Sequence, residues 1–521
     1  MKSTSRSLSK CIALFALSAC NNPLALTSES STTDADDELV ADAGIVLTND
    51  NGGTGGDDGS GAVDEGTGGD IAAGEDEEGG EMLPEPPRPM APLPDVAALT
   101  ALGKAVFFDP ISEPAGVMSC ASCHAPEAGW VSADSAVNLG QVAVPGAVSS
   151  RAGNRKPPSS AYATFSPFFG DASSDFACTA DDAFAVFCVG GLFWDGRATG
   201  SDVGAEVFAG YGALAEAYGR FLGPAVDQAL GPFANDVEQN VPDGNDNGLA
   251  GAEYVCEHVL NSDYADLYEQ AWGELPDCQV LTVDISFKRI AVAIAAFEQS
   301  AEVNAFSSKR DNVRETALPY AGFTDQENLG QALFFGVTTD LNPTGKDAKC
   351  AACHNSGLPE SEGHETNQVF TDHRYHALGL PPNPEAAHYD AYSPDRGLGH
   401  HTGADGSYTN HDGAFRTPTL RNVAKGLELG LTKAYMHNGY FKSLEDVVHF
   451  YNTALVKLDP EACPAGTTAA EAREQDCWPA PEIGDQTGAF GNFGDLGLTE
   501  EEEAAVVAYL HTLSDATVDF P

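Results

Sequence analysis

Cys120-Ala121-Ser122-Cys123-His124 and Cys350-Ala351-Ala352-Cys353-His354 are two copies of one pentapeptide, Cys-x-x-Cys-His. At this spacing two thiols can add to the vinyl groups of a haem, and the histidine that follows is placed to ligate the iron. A single copy is also compatible with a zinc knuckle or a redox dithiol. Two copies, each followed by a domain-sized stretch, point to two covalently bound haem c groups. Cys120, Cys123 and His124 would hold one, and Cys350, Cys353 and His354 the other.

Outward from the motifs the pattern is helical with long loops. Val96 to Phe108 reads as an amphipathic helix leading into the first motif. Thr324 to Phe335 repeats that plan before the second, with Thr324 and Glu327 spaced as a capping box. Ser286 to Ser300 is alanine-rich and apolar, and is expected to be a helix connecting the two halves. A last helix opens at Leu498-Thr499-Glu500 and runs through Leu513, with acids at the positive end of its dipole. The expected fold is mainly α, an internal duplication of two cytochrome c-like domains over 96–300 and 301–521, loop-rich and held by local disulfides.

Before residue 96 the composition changes. Lys2, Arg6 and Lys10 precede the short apolar run Ile12–Ala16, and Leu17-Ser18-Ala19-Cys20 resembles a bacterial lipobox. Residues 1–19 are read as a lipoprotein signal and Cys20 as the lipidated residue; the run is too short to span a bilayer. Asn21 after Cys20 favours the outer membrane of a Gram-negative cell, on its periplasmic or surface side, with the lipid as the only membrane contact. Residues 20–95 read as a disordered acidic tether: Glu29 to Glu85 carries eighteen acids and no Lys or Arg. The rest is acidic as well, with 59 Asp and Glu against 22 Lys and Arg over 96–521, net −37. Nucleic acid is excluded as a partner, whereas a protein with a basic docking patch suits this surface.

Setting aside Cys11, Cys20 and the motif cysteines leaves Cys178, Cys188, Cys256, Cys278, Cys463 and Cys477. They fall in three near-neighbour pairs, so 178–188, 256–278 and 463–477 is the simplest disulfide set, which suits an oxidising compartment.

Further stretches resemble the bacterial diheme cytochrome c peroxidase and MauG family over most of 96–515. They are Phe193-Trp194-Asp195-Gly196-Arg197-Ala198, Gln228-Ala229-Leu230-Gly231-Pro232 with Glu238, Ala295-Ala296-Phe297-Glu298, Arg416 to Val423, Tyr435-Met436-His437-Asn438-Gly439 and Leu444 to Val448. Three departures stand out: a long stretch between Trp194 and Gln228, Gln239 where a Met often follows the glutamate, and an inserted look to Asp171–Gly190. The resemblance implies a haem-dependent peroxidase or oxidase using hydrogen peroxide. It makes Glu238 the distal acid–base group, Gln228 and Pro232 the walls of its pocket, and Trp194 the aromatic relay between the haems.

No His occurs between His124 and His258 and the nearest Met is Met118, so the first haem is expected to be five-coordinate and open to peroxide. Opposite His354 there are two candidates. Tyr451 falls where MauG uses a tyrosine, and Met436 is the alternative thioether. Tyrosine ligation would favour a MauG-like oxidase that forms high-valent iron and oxidises a partner protein. Methionine would favour a peroxide scavenger fed by a small cytochrome c or cupredoxin. A non-enzymatic electron-transfer lipoprotein is a third reading. The resemblance also implies one calcium ion held partly by the carbonyls of Thr432 and Ala434, with its asparagine ligand mapping onto Tyr162. Asp243-Gly244-Asn245-Asp246-Asn247-Gly248 begins like an EF-hand loop, but Glu253 closes it a residue early. Histidines 364, 373, 376, 388, 400, 401 and 411 read as solvated loop residues, with a copper or zinc site as the alternative.

Overall fold

The computed structural model describes residues 96–516 apart from 171–177, 179–187, 202–204, 209–212, 243–250, 314, 316, 356–366, 388–392, 404–405, 408 and 485–492. The signal, Cys20, the acidic tether, the Asp243–Gly248 turn, His364 and His388 lie outside the described residues.

The first half contributes α1 (Val96–Phe108), α2 (Ser135–Leu139), α3 (Ala213–Ala234), α4 (Ala252–Leu260), α5 (Ala265–Trp272) and α6 (Val283–Gln299). The second contributes α7 (Asp325–Phe334), α8 (Leu444–Thr453), α9 (Ala469–Gln475) and α10 (Glu500–His511). Between α7 and α8 lie short antiparallel ladders, β1 (Tyr375–His376) with β4 (Phe415–Arg416) and β2 (Thr402–Gly403) with β3 (Gly406–Ser407). No helix among the described residues is long and apolar enough to cross a membrane.

Each start signal does local work. Thr324 accepts from Glu327 N while Glu327 reaches back to Thr324 N, a closed capping box at α7. Thr499 and Glu502 do the same at α10, whose first turn carries Glu500 to Glu503 and whose last turn carries His511, both matched to the dipole. Two apolar cores result, one running from Ala98 to Val303 and the other from Tyr320 to Leu513.

The duplication is visible in the packing. In each half the entry helix lies against the closing helix, α1 on α6 and α7 on α10. Both crossings depend on a glycine at the same place in a repeated Leu-Gly-x-Ala-x-Phe-Phe run. A Cβ on Gly103 would sit 1.8 Å from the Ala293 carbonyl oxygen, and one on Gly330 1.9 Å from that of Ala505. Helix propensity alone would make Gly→Ala stabilising. Here the backbones touch, so Gly103→Ala and Gly330→Ala are each expected to destabilise by about 1–3 kcal/mol as overpacked sites. Thermal unfolding checks this, and a raised midpoint in either variant would show that the helices do not cross there.

The closing helix of the first half corrects one expectation. It starts at Val283 and packs on α1, α3 and α4, so it completes the first core instead of bridging the halves. Its run Ile290–Phe297 is buried on every side, which leaves no second apolar face to offer. Helix α3 carries Pro224 and Pro232 inside it, although proline normally ends a helix, so no sequence signal announces it.

Candidate functional site

Each Cys-x-x-Cys-His motif folds into a tight 3-10 turn, Cys120–Ser122 or Cys350–Ala352, that hands the chain to its histidine. His124 N donates to Cys120 O (3.0 Å) and His354 N to Cys350 O (2.9 Å). The Nδ1 of His124 lies 3.2 Å from Trp130 O, and that of His354 3.0 Å from Phe370 O. A backbone carbonyl on Nδ1 fixes the ring and leaves Nε2 as the free ligand atom. Burial pushes the His124 imidazole down to about 4, so it is neutral at physiological pH. All four motif thiols are free, while the other six cysteines among the described residues pair as Cys178–Cys188, Cys256–Cys278 and Cys463–Cys477. Two free thiols and a pre-oriented neutral imidazole beside an apolar cavity, twice over, fit the attachment of two haems.

Cys120, Cys123 and His124 open onto one cavity, and Gln228, Pro232 and Glu238 stand on its wall. Gln228 and Pro232 come from α3, and Glu238 from the turn after it. Asn235 Nδ2 donates to Glu238 Oε1 at 3.0 Å, and the Glu238 carbonyl accepts from Ala147 N at 2.7 Å. Gln239 also lines the cavity; it is buried, and its Nε2 donates to Ile111 O (2.8 Å), clamping the turn to the stretch before the first motif. A methionine could not make that bond. Burial pushes the Glu238 carboxyl above the usual range, opposed by the nearby Arg197 and by Asn235. Glu298 lines the same cavity, and burial pushes its carboxyl up to about 8. Met118 reaches the cavity as well.

Cys350, Cys353 and His354 open onto a second, more apolar cavity, which both Tyr451 and Met436 line. Tyr451 is carried by α8 with its ring against Phe493, centroids 4.8 Å apart, and burial pushes its hydroxyl well above the ordinary phenol range. Met436 sits in a loop with φ +66°. His437 stacks on Phe415 at 3.5 Å, and its Nε2 finds no partner among the described residues.

Trp194 lines both cavities. It is 7% exposed, its Nε1 donates to Lys156 O (2.8 Å), and its own carbonyl accepts from Arg416 N (2.9 Å). The halves are riveted beside it. Arg155 grips Asp395 with Nε and Nη2 (2.6 and 2.7 Å) and Asp195 with Nη1 (2.7 Å), and this holds Asp395 down at about 2. Within the second half, Arg421 grips Asp311 at 2.7 and 2.9 Å. The sequence reading named neither arginine as a site residue. Asp195 and Arg421 both lie in family-like runs, Phe193–Ala198 and Arg416–Val423, whereas Arg155 lies in none.

The loop histidines are not uniformly solvated, contrary to expectation. His376 is buried with Nε2 3.0 Å from Asp372, and His411 is buried too. His373 meets Arg416, and His401 stacks on Phe169. These loops wrap the second cavity and so exclude water from several imidazoles. The one acid, His and Cys cluster among the described residues is Cys353, Asp372 and His376, and it draws on a motif cysteine.

The family model described as di-haem cytochrome c peroxidase matches residues 97–317. The methylamine utilization protein MauG of Paracoccus denitrificans is 28% identical over 427 residues, 80% of this chain and 89% of that protein. The cytochrome-c peroxidase IdrP1 of Denitromonas iodatirespirans is 28% identical over 239 residues, 43% of this chain and 48% of that protein. Among solved structures, the diheme peroxidase BthA of Burkholderia thailandensis superposes with a TM-score of 0.52 at 25% identity, covering 80% of this chain and 86% of that one. The chain is thus similar, over most of its described residues, to the di-haem cytochrome c peroxidases and MauG proteins, a family of haem-dependent oxidoreductases.

Proposed function

We propose that the protein takes hydrogen peroxide at the haem held by His124 and delivers the oxidising equivalents to a partner protein, in the manner of MauG. The observation that carries this reading is Glu238 on the wall of the His124 cavity beside Gln228 and Pro232. The bound haem supplies the electrons that reduce peroxide to water. Glu238 would take the proton from the near peroxide oxygen and return it to the far one, which leaves as water. Its raised pKa suits both halves of that transfer. Trp194, shared by the two cavities, would carry the charge between them, and Tyr451 would complete the coordination of the second haem.

Tyr451 on the second cavity favours the oxidase over a scavenger fed by a small cytochrome c or cupredoxin, the reading that Met436 would favour. Glu238 weighs against pure electron transfer. The acidic globular part suits a basic face on the partner, and the lipobox at Cys20 with three local disulfides supports a lipid-anchored, extracytoplasmic protein.

The ferric protein is expected to contain one high-spin haem and to react with peroxide without prior reduction. EPR of the isolated protein and stopped-flow mixing with peroxide check this. Two low-spin haems, inert until reduced, would overturn it; if Met118→Leu then restored the high-spin signal, Met118 would be the capping ligand.

A further inference from the structure

The wall between the two cavities carries positive charge that the described residues do not balance. Trp194, Lys156 and Arg416 line both cavities, while Arg155 and Arg197 line the first and Arg421 the second. Three of these arginines hold an aspartate: Arg155 holds Asp195 and Asp395, Arg197 holds Asp195, and Arg421 holds Asp311. Arg416 pairs with no carboxylate among the described residues. Its Nη2 donates to His373 Nδ1 at 3.0 Å, and its buried Nε finds no hydrogen-bond partner there. His373 cannot offset the charge, because burial and the guanidinium itself push its imidazole down to about 3 and keep it neutral. Asp372, the carboxylate whose field reaches Arg416, is already held by His376 Nε2 (3.0 Å) and Arg374 N (2.9 Å). Lys156 adds a second cation, its Nζ 2.9 Å from Pro157 O and 6.0 Å from the Trp194 ring centroid.

We infer that Arg416 is the common carboxylate anchor of the two haems, receiving a propionate from each, with Lys156 as the supporting cation. Burial works against the charge of Arg416, yet a guanidinium keeps its proton at any ordinary pH. Left unpaired where the medium screens poorly, it would be strongly destabilising, so the folded holoprotein must bring it an anion. The propionates are the anionic side groups of a haem, and each haem motif opens onto one of the two cavities that Arg416 walls. The guanidinium is a planar fork with donors on more than one edge. His373 engages only Nη2, so Nε and Nη1 remain for carboxylates. The backbone fixes where this fork stands. Arg416 lies in β4 opposite Tyr375, and its N donates to Trp194 O at 2.9 Å. Anchor and shared tryptophan thus form one unit, and the propionates would offset the two cations beside the indole.

The inference rests on the two haems and not on the peroxide reading, so its test uses no peroxide. In Arg416→Gln holoprotein the midpoint potentials of both haems should move negative, because a nearby cation favours the ferrous state. The propionate bending bands of both haems should shift in the resonance Raman spectrum. Charge alone acts on a potential from a distance, whereas a band shift requires contact with the propionate. Unmoved potentials or unmoved bands for either haem in the folded variant would overturn the shared anchor. If Arg416→Gln does not fold, a crystal structure of the wild-type holoprotein decides. A guanidinium within hydrogen-bond distance of a propionate oxygen from each haem is expected, and contact with one haem or none would sink the idea.

Discussion

Glu238→Gln is expected to slow the peroxide reaction by ~10²–10⁴-fold, the usual worth of a positioned proton shuttle. The substitution is near-isosteric and can keep the contact with Asn235, so both haems should remain attached and the fold intact. What disappears is the ability to carry a proton between the two peroxide oxygens. A pH profile gives the sharper test. The carboxylate is the acting base, so the wild-type rate should rise as pH climbs through the raised pKa of Glu238 and fall below it. The Glu238→Gln variant should lose that limb. Glu298, pushed up to about 8 on the same cavity, could place a limb of its own, which Glu298→Gln would remove independently. Trp194→Phe serves as the contrast: peroxide should still react, while charge sharing between the haems is impaired. Wild-type kinetics in Glu238→Gln would reduce the carboxylate to a wall residue.

Tyr451→Phe is expected to abolish the native axial ligation of the second haem, whereas Met436→Leu should leave it intact. Both side chains line that cavity, so position alone does not choose between them. Chemistry does. A phenolate stabilises ferric and more oxidised iron, a thioether ferrous iron, and the two give different electronic spectra. Tyr451 rides on a helix whose start is capped by Ser443, and its ring contact with Phe493 holds it against the cavity. Burial alone holds the hydroxyl protonated, so a phenolate here would need the iron's charge to sustain it. The midpoint potential of that haem should therefore rise in Tyr451→Phe. A ligation change confined to Met436→Leu would return the protein to the scavenging reading.

Much of this was legible in the chain because its signals are local. Each motif spans five residues, the capping boxes at Thr324 and Thr499 four, and each disulfide pair joins neighbouring cysteines. The grouping of Trp194, Gln228, Pro232 and Glu238 on one cavity came from the order of short motifs, not from any periodicity. What stayed hidden was made by distance. Arg155 meets Asp395 across 240 positions and Arg421 meets Asp311 across 110. No spacing rule announces such pairs. Lys433 likewise finds its three carbonyl partners, on Ala128, Asn422 and Lys425, only in the folded chain. The helix from Ala213 to Ala234 was masked by its two prolines, and tertiary packing overrode what they argue locally.

The closeness of every cross-link in sequence bears on how the protein matures. The disulfides join residues 10, 22 and 14 positions apart, and each haem motif is complete within five. No covalent step waits for the halves to meet, so oxidation and haem attachment can finish on the first half before the second has folded. Only the non-covalent rivet at Arg155, and the reach of Lys433 to Ala128, must come afterwards. Assembly thus has a natural order, chemistry first and docking last, and a fault in docking would leave two separately cross-linked halves whose cavities no longer meet at Trp194.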